Sequence, residues 1–202
     1  MVQPIILVLL AYLLGAVPMA YLIGKRFHGI DITQVGNHNI GTVNAWRELG
    51  RRSGIVILIL DGAKGAVVMA MILIFGLSEL IAFAMAIAVT IGHNFSVFLN
   101  FKGGKGAAVV LGLSLVILPV LTLITVLVIP IVYYFIRSII WSFFAALVVL
   151  NVLTIVTGQP AAQVGLCITL SLVVVATHLW RERRNVISAL QKFDFVRLGQ
   201  IE

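Results

Sequence analysis

The stretch AAVVLGLSLVILPVLTLITVLVIPIVYYFI, residues 107–136, runs for thirty residues without a charge. As one helix it would reach ~45 Å, well beyond the hydrocarbon core of a bilayer. Pro119 and Pro130 interrupt it, and two spans would each be short. The charges on either side decide the reading. With two spans, Arg137 returns to the side of Lys102 and Lys105. With one, Arg181, Arg183, Arg184, Lys192 and Arg197 would all fall outside, against the tendency of basic residues to stay in the cytoplasm. The run is therefore read as two spans.

The rest of the chain follows from that choice. Of 202 residues, 61% are hydrophobic and 10% charged, where a soluble domain carries about 25% charged residues. Mean hydropathy is +1.16. Because backbone polar groups must be satisfied inside lipid, spans are helices or a closed barrel. The apolar runs are long and do not alternate, which excludes the barrel. The predicted spans are Pro4 to Gly24, Gly54 to Gly76, Leu77 to Leu99, two within 107–136, Ser142 to Gly158 and Pro160 to Trp180. The fold class is thus an all-α integral membrane protein of about seven transmembrane helices in one polytopic domain.

No lysine or arginine precedes the first apolar run, whereas Lys25 and Arg26 follow it. This order is the reverse of a cleavable signal peptide, so a retained first span is expected. Its N-terminus would lie outside and the C-terminus in the cytoplasm. Thirteen of the 14 basic residues then fall on the cytoplasmic side, Lys64 being the exception. Trp46, Trp141 and Trp180 lie near the same interface. The net charge of +7 is explained by these loops, and no nucleic-acid partner is expected. Cys167 is the one cysteine and lies in an apolar run. It reads as a packing residue, and no cysteine metal site can form.

The polar residues gather in a few places. GNHNIGTVNAWRELGRR, residues 36–52, holds Asn37, His38, Asn39, Thr42, Asn44 and Arg47 between glycines. Asn and Gly let backbone N–H groups turn toward one point, and a guanidinium grips phosphate in a fork. FKGGKG, residues 101–106, leads straight into an apolar run. Gly103, Gly104 and Gly106 let the backbone approach a ligand, successive N–H groups at a helix start form an anion site, and Lys102 and Lys105 add charge. The spacing is not that of a Walker A loop. Taken singly, the asparagines could be turn caps and the lysines ordinary loop anchors. Together they indicate a cytoplasm-facing site for an anionic, phosphate-bearing substrate beside helices that could hold an acyl chain.

Other polar groups leave alternatives open. Asp61 and Lys64 are i,i+3 neighbours inside the second span; they read equally as a structural ion pair or as substrate ligands. His93 reads as a hydrogen-bonded structural histidine. His178, Glu182 and Asn185 share a helical face at the end of the last span. They form either a basic tail held to anionic membrane lipid or a third wall of the site. The four histidines are scattered and no paired-carboxylate or HExxH spacing occurs, so neither a metal nor a cofactor is expected.

Four stretches, GAVPMAYLIGK (15–25), GNHNIGTVNAWR (36–47), LDGAKG (60–65) and GHNFSVFLNFKGGKGAA (92–108), resemble in order the bacterial glycerol-3-phosphate acyltransferase family that uses acyl-phosphate as donor. The resemblance implies a seven-helix inner-membrane enzyme that moves an acyl group from acyl-phosphate to the sn-1 hydroxyl of glycerol 3-phosphate. It implies lysophosphatidic acid and phosphate as products, and no direct use of acyl-CoA or acyl carrier protein. The matching positions are Asn39, Asn44, Arg47 and Lys102 to Gly106. Asn185, in RERRNVISAL, fits a third family motif. Arg47, Lys105 and Asn185 are the expected catalytic residues. Asn39, Thr42, Asn44, Lys102, Gly103, Gly104, Gly106, Ser142, His178 and Glu182 are the expected substrate contacts. The chain departs from the family pattern at Asn37 (serine), Ser96 (proline), Glu182 (histidine) and Ser188 (arginine).

Acyl-phosphate is already activated, so no covalent acyl-enzyme is required, and direct attack by the glycerol hydroxyl is the expected mechanism. Two rival readings differ in kind. A transporter of an organic phosphate fits Asp61, Lys64 and the span prolines, but transport sites lie near the midplane. A lipid-binding membrane protein explains the charge but not the Asn/Gly arrangement.

Overall fold

The computed structural model describes residues 2–191; Lys192 and Arg197, read above as cytoplasmic, lie outside them. The chain divides between Ile117 and Leu118 into two compact units. The described residues hold five helical segments long and apolar enough to cross a membrane: Gln3–His28, Arg51–Ile74, Pro119–Ile136, Ile139–Val156 and Ala161–Arg183. Glu79–Asn94 and Ala107–Ile117 are apolar but shorter. Many large apolar side chains point outward, among them Ile74, Leu80, Phe135 and Val156. Such a surface would aggregate in water and suits lipid.

The decisive run breaks where its first proline predicts. Leu118 leaves the helical region (φ −136°, ψ 58°) and Pro119 opens the next helix. There its missing N–H costs nothing. Pro130 does not end the helix. It lies in the first turn of the segment Val128–Ile136, after an irregularity at Leu127, because it cannot donate to the Val126 carbonyl.

The first unit contains α1 (Val2–Ala16), α2 (Met19–Ile23), α3 (Thr42–Glu48), α4 (Arg51–Ile74), α5 (Glu79–Asn94) and α6 (Ala107–Ile117). A widened helical turn, Gly24–His28, continues α2. Two pairs of helices pack backbone to backbone. A Cβ on Gly15 would strike the Val89 carbonyl, and one on Gly92 the Tyr12 carbonyl, so α1 and α5 touch across small residues. Gly65 against Val109 and Gly112 against Gly62 do the same for α4 and α6. Close approach at small residues is how helices associate where no hydrophobic drive separates protein from lipid.

One span is broken. Val17 and Pro18 separate α1 from α2, freeing carbonyls that lipid cannot satisfy. Distant side chains meet them: Lys64 Nζ donates to Val17 O at 2.5 Å and Gly15 O at 3.4 Å, and Ser96 Oγ donates to Ala16 O at 2.5 Å. Ser96 stands where the family pattern has proline, so this chain gains a donor there. Ser96→Ala is expected to cost about 1–3 kcal/mol by leaving that carbonyl dry, read as a lowered unfolding midpoint in detergent.

The second unit contains α7 (Pro119–Val126), α8 (Val128–Ile136), α9 (Ile139–Val156) and α10 (Ala161–Gln191). Asn151 ties α9 to α10 by donating to Ser171 Oγ at 2.9 Å.

Candidate functional site

The loop after the first span folds around one side chain. Asn44 is buried. Its Nδ2 donates to the carbonyls of Ile32 (3.3 Å), Val35 (3.0 Å) and Asn39 (3.1 Å), and its Oδ1 accepts from Asn37 N–H (3.1 Å). The segment 42–48, read from sequence as loop, is helical. Extended Gly41 (φ −136°, ψ 174°) starts it, and fixing Asn44 inside the loop fixes the first turn. Gly36 is required twice over: its φ is +61°, and a Cβ would overlap Asn44 Oδ1. Asn44→Ala is expected to cost about 1–3 kcal/mol for each carbonyl left dry. It would be seen as faster amide hydrogen exchange across residues 32–41 ahead of global unfolding.

Asn39 presents a different face of the same loop. Its backbone carbonyl is taken by Asn44. Among the described residues its buried Oδ1 has no hydrogen-bond donor. Thr42 opens α3, and Arg47 is exposed on its last turn. At the loop's start, Thr33 donates its hydroxyl (2.6 Å) and N–H (3.0 Å) to Asp31 Oδ1, and Lys25 lies 3.3 Å from Asp31. The Thr33 hydroxyl, then the Thr33 N–H and Lys25, hold this carboxyl below its ordinary value.

The glycine stretch is held from beneath. Ser96 and Lys102 pair as an isolated antiparallel bridge, and Asn100 and Phe101 take left-handed conformations (φ 51° and 61°) between them. Gly104 N–H donates to His93 O at 2.9 Å. A Cβ on Gly103 would strike the His93 and Asn94 carbonyls, and one on Gly104 the His93 imidazole. Gly106 has φ +85° and lies over Asn94. All three glycines are buried because the backbone lies flat on the end of α5. From Gly106 the chain enters α6, whose first-turn N–H groups have no acceptor within the helix. They point positive dipole at whatever binds there. Lys105 is half-buried at this helix start, whereas Lys102 is exposed.

The two loops meet on one side of the first unit. Ile40 packs in a buried cluster with Ala20, Ile32, Ala45, Leu49 and Ile57, and Leu99, just before the glycines, rests on it. A small crevice opens between Val17, Pro18, Ile40, Asp61, His93 and Gly103–Gly104. Its floor is charged. Lys64 Nζ lies 2.6 Å from Asp61 Oδ1, and His93 Nδ1 lies 3.6 Å from the same oxygen. These three side chains are 3%, 2% and 7% exposed.

The remaining expected contacts are in the second unit. Ser142 is buried and donates to Ser138 O at 2.7 Å. His178 is buried and meets Phe144 edge-on, ring centroids 5.3 Å apart. Asn185 Nδ2 donates to Glu182 Oε2 at 2.9 Å, as their spacing on one helical face allows.

The structure thus brings Asn39, Asn44, Thr42 and the glycine stretch together within one unit, as the sequence suggests. It also gives places to three residues that the sequence leaves with a structural or an open role. His93 carries the glycine loop, and the Asp61–Lys64 pair reaches both His93 and the broken first span. The available signal was two opposite charges three residues apart in an otherwise apolar helix. For His93 the sequence suggests a structural role but not its partner, Gly104.

Comparison with known proteins agrees in detail. The sequence profile of the family described as glycerol-3-phosphate acyltransferase matches residues 5–192. The glycerol-3-phosphate acyltransferase of Fusobacterium nucleatum subsp. nucleatum is 31% identical over 93% of this chain and 97% of its own length. Glycerol-3-phosphate acyltransferase 4 of Dehalococcoides mccartyi is 37% identical over 91% and 99%. The crystal structure of PlsY, an integral membrane glycerol 3-phosphate acyltransferase in its glycerol 3-phosphate form, superposes with a TM-score of 0.82 at 28% identity. That match covers 94% of this chain and 93% of the other; the lysophosphatidic acid form gives 0.81. With its apolar helices, its glycine stretch on the end of α5 and these relatives along nearly its whole length, the chain belongs to the membrane-integral glycerol-3-phosphate acyltransferase family of phospholipid biosynthesis.

Proposed function

We propose that this protein transfers a fatty acyl group from acyl-phosphate to the sn-1 hydroxyl of glycerol 3-phosphate. The products are lysophosphatidic acid and inorganic phosphate. It does so as a protein of seven spans in a bacterial inner membrane, N-terminus outside, with C-terminus and site facing the cytoplasm. The observation that carries this reading is the glycine stretch laid flat on the end of α5 and feeding the start of α6, with Lys105 beside it. Buried glycine backbone, a helix dipole and a half-buried ammonium at one place suit phosphate better than any neutral ligand. The solved relative's glycerol 3-phosphate and lysophosphatidic acid forms support an acceptor and a product of that chemistry.

Depth supports it too. With 16 and 11 residues, α5 and α6 are ~24 Å and ~16 Å long, shorter than a ~30 Å bilayer core. Their junction, the glycine loop, sits where irregular backbone is tolerated only against protein or a wet cavity. A phosphate held there keeps its acyl chain beside the lipid.

In the reaction, the glycerol oxygen attacks the acyl carbonyl and the carbonyl–oxygen bond to phosphate breaks. The hydroxyl proton passes to the departing phosphate. Arg47, Lys105 and the N–H groups at the start of α6 stabilise the negative charge that develops, and Lys102 draws substrate in from the rim. Asn39 Oδ1 accepts a glycerol hydroxyl. Holding both substrates together supplies much of the rate. Ser142, His178, Glu182 and Asn185 are assigned substrate contact through the family resemblance, Asn185 as a catalytic residue.

The test uses purified protein reconstituted into proteoliposomes with radiolabelled glycerol 3-phosphate. Labelled lysophosphatidic acid is expected with acyl-phosphate and not with acyl-CoA. Equal product from acyl-CoA would overturn the donor. Label accumulating inside proteoliposomes without product would replace the enzyme with a transporter.

A further inference from the structure

We propose that Asp61, Lys64 and His93 act as a positioning unit for this transfer: they set the height of the glycine loop and hence the affinity for the phosphate-bearing substrate. The inference rests on the reading that this loop holds a substrate phosphate. Its basis is a continuous chain of contacts. Lys64 donates to Val17 O at the break in the first span and to Asp61. Asp61 Oδ1 faces His93 Nδ1 at 3.6 Å. His93 then supports Gly104 in two ways: its carbonyl accepts the Gly104 N–H at 2.9 Å, and its imidazole fills the place where a Gly104 side chain would be. The loop therefore rests on a ring that faces a carboxylate, and that carboxylate is held by an ammonium anchored at the break in the first span.

The cost of the arrangement argues that it does something. Asp61 lies ten residues into α4, ~15 Å along a helix of transmembrane length. Ionised groups at such depth are costly and are kept facing a cavity or each other. Lys64 caps the break in the first span, but that cap needs neither Asp61 nor His93, and α1 with α5 and α4 with α6 already meet through glycines. Asp61, His93, Gly103 and Gly104 all line the same crevice, so a shift of the triad moves the site's wall. None of the three is placed as a catalytic residue, since the His93 ring is covered by Gly104 and Lys64 is committed to Asp61 and Val17.

The test compares KM for each substrate, kcat and the unfolding midpoint in the full-length protein. The double variant Asp61→Asn/Lys64→Gln removes both charges and keeps donors and shape. It is expected to fold, with KM for one phosphate-bearing substrate raised about 10- to 100-fold, the other KM unchanged and kcat little altered. Which KM moves identifies whether the loop holds glycerol 3-phosphate or acyl-phosphate. His93→Asn, with the ion pair intact, is expected to raise the same KM. Gly104→Ala should do so too, and Gly104→Ala combined with His93→Asn should be no worse than the poorer single variant, because both act through one contact. Wild-type KM values in the folded double variant, or a fall in kcat alone, overturn the inference. So does loss of both the double variant and His93→Asn to misfolding, which would assign the triad to folding alone. Failure of the underlying reading shows separately, as absent transfer by the wild-type protein.

Discussion

Lys105→Ala lowers kcat/KM for acyl transfer by about 10²–10³-fold, with folded protein still recovered from the membrane. The size follows from position. Lys105 is half-buried where the glycine stretch becomes α6, so its charge acts in a partly dry site and adds to the dipole of the first helical turn. Alanine keeps the backbone cradle but removes the cation that, in the proposed reaction, meets phosphate as it departs. Lys105→Arg restores part of the rate, since charge survives while geometry changes. Lys102→Ala has a much smaller effect that fades with added salt, because Lys102 is exposed and water and ions screen it. In the proposed reaction Arg47, though exposed, clamps phosphate in a two-pronged fork that a single lysine cannot make, so Arg47→Ala is expected to resemble Lys105→Ala. Steady-state kinetics on the four variants check the ranking. Equal losses at Lys102 and Lys105 would contradict it.

Lys64→Met destabilises the protein by about 3–5 kcal/mol, a large part of the ~5–15 kcal/mol that holds a typical domain together. The ammonium is buried 2.6 Å from Asp61 and also caps carbonyls at the break in the first span. Its loss strands a carboxylate and takes a donor from two backbone oxygens at once. Asp61→Asn/Lys64→Gln recovers most of the loss, because removing both charges leaves no unpaired ion. Chemical unfolding in detergent, run as a double-mutant cycle, checks this. A single variant as stable as wild type would mean that the pair is solvated.

Much of the fold is legible in the residues because lipid imposes simple rules. A thirty-residue apolar run must divide, and Pro119 supplies the break. The glycine stretch is legible for a related reason: three glycines and two lysines at the mouth of an apolar run have few uses. What escapes sequence reading depends on distant partners. Asn44 looks like any asparagine in a polar loop, and only the folded loop shows four hydrogen bonds converging on it. The helix α3 hides in the same loop, since seven residues are too few for periodicity to declare them. Pro18 announces a disturbance in the first span but not which side chains answer the freed carbonyls. Ser96, set where the family pattern has proline, proves to be one of them. His93 is one polar residue at a helix end until the glycines are seen resting on it.

In the proposed reaction an acyl group leaves phosphate for a glycerol oxygen in one step. Inorganic phosphate and lysophosphatidic acid should be counted together, in wild-type protein supplied with acyl-phosphate and glycerol 3-phosphate. The account predicts equal amounts of the two from the first turnover, with no phosphate released when glycerol 3-phosphate is withheld. A burst of phosphate before any lysophosphatidic acid, or phosphate released without acceptor, would contradict it by revealing a covalent acyl-enzyme or simple hydrolysis.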